Sequence, residues 1–238
     1  MKKGFTLAEI LITLGIIGIV AALTIPTLID KYQKKVTVNQ IKTAYSLLQQ
    51  AVQASEADNG DITSWESLDA SAYAEKYLLP YLKIAKRCGS YAYNHISSGC
   101  FPDNDSFYKL DGKILGLGGS CRDPGWWDKS VLSNGMLLAI CAGTGEPVNS
   151  AYILVDVNGF KGKSIVGKDV FGFKLFANYK QKLVPGGGDY TIPAIALKRE
   201  TIIDNNSYGC NKDAQYYQYY CTALIAKDGW EIKDDYPW

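Results

Sequence analysis

The sequence predicts an α+β protein: a long N-terminal helix packed on an antiparallel sheet, with loops stapled by disulfides. Three observations predict it. An apolar run from Phe5 to Ile29 is interrupted by one carboxylate, Glu9. A helical rhythm of apolar residues then continues to Asn59-Gly60. Beyond it lie short β-branched and aromatic runs between turn pairs, together with all six cysteines.

The apolar run of about 25 residues is long enough as a helix to cross a hydrocarbon core of roughly 30 Å. Gly18 and Ala22 lie one turn apart, which would allow close helix packing, although plain lipid-facing filler reads equally well. Pro26 removes the backbone bond to Ala22 and should kink or locally melt the helix. Past it, Ile41, Ala44, Tyr45, Leu48, Ala51 and Val52 follow the i, i+3, i+4, i+7 spacing of a buried stripe. Lys31, Lys35, Lys42, Gln49 and Gln53 lie off that stripe. The helix should end at Asn59-Gly60. Its about 50 residues would extend roughly 75–80 Å.

A short helical patch, Ser71 to Leu79, is expected to break near Pro80. Residues 88–130 read as irregular. Strands are expected at Met136–Cys141, Ala151–Val157 and Val170–Phe176, with turns at Asn158-Gly159 and Gly162-Lys163. Leu183 to Gly188 reads as a loop, and Gly229 to Ile232 as a short edge strand.

Composition narrows the class. The chain has 238 residues, 47% of them apolar, and a net charge of +1. That argues against nucleic acid as a partner. Six cysteines in a chain with an export-like start favour disulfides over zinc, which would want C-x-x-C pairs or more histidines than the single His95. Fifteen pairings exist for six cysteines. Sequence neighbours close the shortest loops, giving Cys88 with Cys100, Cys121 with Cys141, and Cys210 with Cys221.

Met1-Lys2-Lys3-Gly4-Phe5-Thr6-Leu7-Ala8-Glu9 resembles the class III signal of type IV pilins and type II secretion pseudopilins. The resemblance implies cleavage after Gly4 by a prepilin peptidase, which also methylates the new N-terminal Phe5. It makes Glu9 the hallmark assembly carboxylate and Pro26 the helix-kinking proline. Val155-Asp156-Val157-Asn158-Gly159, with Gly167-Lys168-Asp169-Val170-Phe171, resembles the hairpin region of pseudopilin-like proteins. The ending Cys221 to Ile225, Asp228-Gly229-Trp230 and Asp235 to Trp238 resembles their ends. The implied organisation is a leader (1–4), a membrane-spanning helix (5–29), its amphipathic continuation (30–60) and a globular domain (61–238).

The implied partners are the prepilin peptidase/methyltransferase, copies of this chain, other pilin-like subunits and an inner-membrane assembly platform. The implied location is a single-pass inner-membrane protein whose globular part faces the periplasm or the outside, assembled into a filament. The function expected is that of a structural subunit of a pseudopilus or pilus, not an enzyme. The alternatives are a minor pilin with an adhesive or DNA-binding role and a membrane-anchored binding protein that never polymerises. An ordinary signal peptide would instead be cut near Ala21-Ala22.

An unpaired carboxylate at Glu9 would cost several kcal/mol in apolar surroundings. The ammonium of a neighbouring subunit's Phe5 would offset that cost. No cofactor is expected. Asp156, Asn158 and Asp169 supply oxygen ligands of the kind calcium takes, yet Asp-x-Asn-Gly is also plain turn chemistry. Asp103, Asp105 and Asp111 are weaker calcium candidates. His95 lacks a nucleophilic partner and reads as a surface histidine. Gly186-Gly187-Gly188 lacks the Lys-Ser/Thr of a phosphate loop. The tyrosines at 216, 217, 219 and 220 read either as a binding platform or as packing.

Overall fold

The computed structural model describes residues 6–89, 99–102, 106–115, 127–142, 150–187, 192–216 and 218–238. The chain forms two compact units, Met1–Val36 and Thr37–Trp238, and the first helix, α1 (Leu7–Asn59), runs through both. It stays helical through Pro26, so no local melting occurs there. It ends where predicted. Gly60 adopts φ +81°, a left-handed value that costs glycine nothing, and its N–H bonds to the Glu56 carbonyl.

Within the larger unit the expected stripe of α1 is buried at Ile41, Ala44, Leu48, Ala51 and Val52, and Val38, one turn earlier, joins it in the core. Tyr45, half-buried, stacks on Phe173 at 5.8 Å and meets Trp230 at 5.3 Å. After Gly60, the Trp65 indole N–H donates to the Gly60 carbonyl and its ring stacks on Tyr77. Helix α2 (Ala70–Tyr77) starts at Asp69, whose carboxylate accepts from the N–H groups of Ser71 and Ala72.

The main sheet contains β1 (Ile84–Gly89), β3 (Asp128–Leu132), β4 (Leu137–Ala142), β5 (Ser150–Asp156), β7 (Val170–Phe176) and β8 (Leu183–Pro185), all antiparallel in the order β1-β3-β4-β5-β7-β8. A second, parallel pair joins β2 (Phe107–Tyr108) to β6 (Ser164–Ile165). Two short helices follow, α3 (Arg199–Asp204) and α4 (Tyr220–Lys227).

Several expectations are corrected. Residues 88–130 are not uniformly irregular, since they hold part of β1, all of β2 and the start of β3. Leu183 to Pro185 is a strand. Pro185 is tolerated because β8 is the sheet edge, where a missing N–H leaves no ladder partner unpaired. Gly229 to Ile232 is no strand. Gly229 (φ +80°) and Trp230 (φ +62°) close α4, with Trp230 N–H bonding to Ile225 O and Gly229 N–H to Ala226 O, a Schellman ending.

Both faces of the sheet are covered. Phe171, Phe173 and Leu175 lie on one face of β7 and Gly172 and Lys174 on the other, yet all are buried. On the second face Tyr219 lies against Gly172, where an added Cβ would sit 3.2 Å from its ring. Lys174 is 1% exposed, with its Nζ 2.9 Å from the Tyr152 hydroxyl and over that ring.

Candidate functional site

The site defined by the sequence is the start of α1. Gly4 and Phe5 lie outside the described residues. Thr6 is the residue before the helix, and Glu9 is three residues on. The Thr6 N–H and Oγ1 each donate to a Glu9 carboxylate oxygen at 2.8 Å, and the Glu9 N–H returns a bond to Thr6 Oγ1. This is a reciprocal capping box. It places the carboxylate at the positive end of the helix dipole. Glu9 thus has an internal partner that sequence reading overlooked, although Thr-x-x-Glu before an apolar run is that motif's signal.

The rest of the segment is built for an apolar environment. From Leu7 to Ile29 every leucine, isoleucine and valine is exposed, Leu7 at 78%. Two of its side-chain hydroxyls bond within the helix. Thr13 donates to the carbonyls of Glu9 and Ile10, and Thr24 to that of Val20. Space around Gly15 and Gly18 is open. Among the described residues, α1 is long and apolar enough to cross a membrane.

The other candidates lie in the larger unit. Asp156, 1% exposed, accepts from the N–H groups of Asn158 and Gly159 through Oδ1 and from the Ser164 hydroxyl through Oδ2, at 2.6 Å. The Asn158 side-chain amide donates to the Lys161 carbonyl. Burial, with the nearby charge of Asp169, pushes the Asp156 carboxyl up to about 7. Burial likewise pushes Asp169 up to about 6. Every Asp156 oxygen is therefore engaged in bracing the turn that follows β5. Among the described residues, no group of three or more His, Cys, Asp or Glu is placed to hold a metal ion.

Two predicted disulfides are present, Cys88–Cys100 and Cys210–Cys221. Cys141 is also disulfide-bonded, and Cys121 lies outside the described residues, so its pairing does too. His95, Asp103, Asp105, Gly188 and Tyr217 lie outside them as well. Tyr219 and Tyr220 are buried, and Tyr219 stacks on Tyr152, which makes these two packing residues.

One arrangement had not been anticipated. Arg199 on α3 forks onto Asp228 at 2.8 Å and Asp235 at 2.8 Å, and Lys233 also pairs with Asp228, at 3.0 Å. These charges hold Asp228 and Asp235 below the usual carboxylate range and tie the chain's end to α3. The pairing of residues so far apart leaves no local pattern to read.

A helix with a capped Glu9 and a lipid-compatible surface, continuing into a stripe packed on an antiparallel sheet, defines a type IV pilin-like protein. Residues 1–25 match the prokaryotic N-terminal methylation motif. The chain belongs to a family of unknown function, DUF6613, whose model matches residues 27–238. No curated protein and no solved structure matches it significantly. The motif implies processing by a prepilin peptidase and assembly with other pilin subunits.

Proposed function

We propose that this chain is a structural subunit of a type II secretion pseudopilus or type IV pilus. It is cut after Gly4, methylated at Phe5, held in the inner membrane by residues 5–29 and assembled through α1. The hairpin and C-terminal resemblances favour the pseudopilus. The protein is the substrate of a peptidase and methyltransferase, performs no catalysis, and works without a resident cofactor. The observation that carries this reading is Glu9. It is the one ionisable side chain between Leu7 and Ile29, four positions along the sequence from the residue whose amine cleavage after Gly4 would create.

In the free subunit Thr6 donates twice to one oxygen of the carboxylate, Oε2. A Phe5 ammonium from a neighbour offers a stronger, charge-assisted partner. Mass spectrometry of the mature protein should find methyl-phenylalanine from residue 5 as its first residue. A start near residue 23 would overturn the reading. Glu9→Ala should leave a processed, membrane-held monomer and no filaments, and normal filament yield from it would count equally against assembly through this residue.

A further inference from the structure

One stretch of the globular unit is one-sided in charge. From Thr43 to Glu75 there are six carboxylates and no lysine or arginine. Glu66 pairs with Lys76, Asp61 with Lys182 and Glu75 with Arg87. Among the described residues Glu56, Asp58 and Asp69 make no ion pair, although Glu56 accepts from the Ile62 N–H, Asp58 from the Tyr81 hydroxyl and Asp69 from the N–H groups that open α2. Glu56 and Asp58 lie in the last turn of α1, which carries no basic residue. Carboxylates there stack on the negative end of the helix dipole, an unfavourable placement that a cation would relieve.

Lysines gather around the small β2–β6 sheet, with Asp111 among them. Lys109 and Lys113 flank the turn after β2, and Lys161 and Lys163 precede β6. The strand register sets β2 beside β6, and Lys163 Nζ lies 4.4 Å from the centre of the Tyr108 ring. Lys113 pairs with Asp111, but Lys109, Lys161 and Lys163 make no ion pair among the described residues. Two large apolar side chains border the same sheet in the open, Ile114 at 61% exposure and Phe160 at 55%. Apolar centres ringed by free charge are the composition of a protein–protein contact.

We propose that these two surfaces meet between copies of this chain, the lysine–phenylalanine patch of one docking on the acidic C-terminal end of α1 in the next. Different patches on each copy make the contact heterologous, which builds open helical arrays rather than closed dimers. The inference rests on the filament reading above and adds a contact between globular units to it.

The test is charge reversal in the full chain, read as filaments sheared from cells. Lys161→Glu with Lys163→Glu should lower filament yield at least tenfold, and Glu56→Lys with Asp58→Lys should do the same. All four changes together should restore most of it. Reversals that assemble normally, or a combined variant that stays deficient, overturn the contact. Carbodiimide coupling of wild-type filaments, grown from isotopically heavy and light copies, guards against misfolded variants. Heavy–light links from Lys161 or Lys163 to Glu56 or Asp58 are expected, and their absence while other pairs couple overturns the proposal. Glu9→Ala separates the two ideas. Filaments that need Glu9 yet ignore the reversals leave the assembly reading standing and remove this contact, whereas wild type without filaments removes both.

Discussion

Buried where β5 ends, the Asp156 carboxylate is held by three protein donors and penalised by its surroundings. The donors favour its charged form, while burial and the neighbouring Asp169 oppose it, and the opposition wins. A folded-state value raised from about 4 to about 7 means the folded chain binds the proton more tightly than the unfolded one. The associated stability is full below about pH 4 and is lost as pH rises to about 7. Asp169 adds a loss of the same sign that ends near its own value of about 6. Asp156→Asn keeps an acceptor for the two N–H groups and removes the charge. Its melting temperature should therefore exceed wild type at pH 8 and depend less on pH, as calorimetry at pH 5 and pH 8 would show. A wild-type melting temperature that rises from pH 5 to pH 8 would refute this account. The turn itself was legible, because Asp-x-Asn-Gly is local chemistry. The burial that perturbs Asp156 was not, because it depends on Ser164 and β7 arriving from elsewhere in the chain. Glu9 divides the same way. Its importance came from the resemblance, and its bond to Thr6 was available in Thr-x-x-Glu.

At the scale of elements, the strands read correctly were those with alternation or β-branched runs, β4, β5 and β7. The rest failed for physical reasons. β1 carries two bulges against β3, so its side chains do not alternate cleanly. β2, β6 and β8 are two or three residues long and exist only through their partners. Helix α4 has six of its eight residues buried, with no polar face to reveal a helical period. Its Lys227-Asp228-Gly229 stop was the available signal. The helix is locked at its start by Cys210–Cys221 and pressed onto the sheet edge, where Gly186 has no room for a Cβ against Ala223. Closing so short a loop should contribute about 3 kcal/mol through chain entropy. Replacing both cysteines by alanine should lower unfolding free energy by about 2–3 kcal/mol, measured by urea titration, with a larger loss of protection in α4 than in β4 by amide exchange. A uniform loss would argue against α4 being a locally held element.

At the scale of the molecule, α1 serves two environments with one secondary structure. Its exposed Leu7–Ile29 surface has no use in water, whereas Val38 to Val52 are part of the globular core. A boundary between the two roles is therefore a matter of burial, and it can be tested by truncation. A chain beginning at Asp30 keeps the stripe and sheds the apolar surface, so it should be soluble and cooperatively folded. A chain beginning at Gly60 loses Val38, Ile41, Leu48 and Val52 from the core. At roughly 1.5–3 kcal/mol for each buried side chain, that loss matches the whole stability of a typical domain, about 5–15 kcal/mol. It also strips the sheet of the helix that covers Phe173, exposing the aromatic face where Tyr45 had stacked. The shorter chain should aggregate or bind hydrophobic dyes, while the longer one melts in a single transition. If the chain from Gly60 folded as stably as the chain from Asp30, the second half of α1 would not be the core element that its burial makes it.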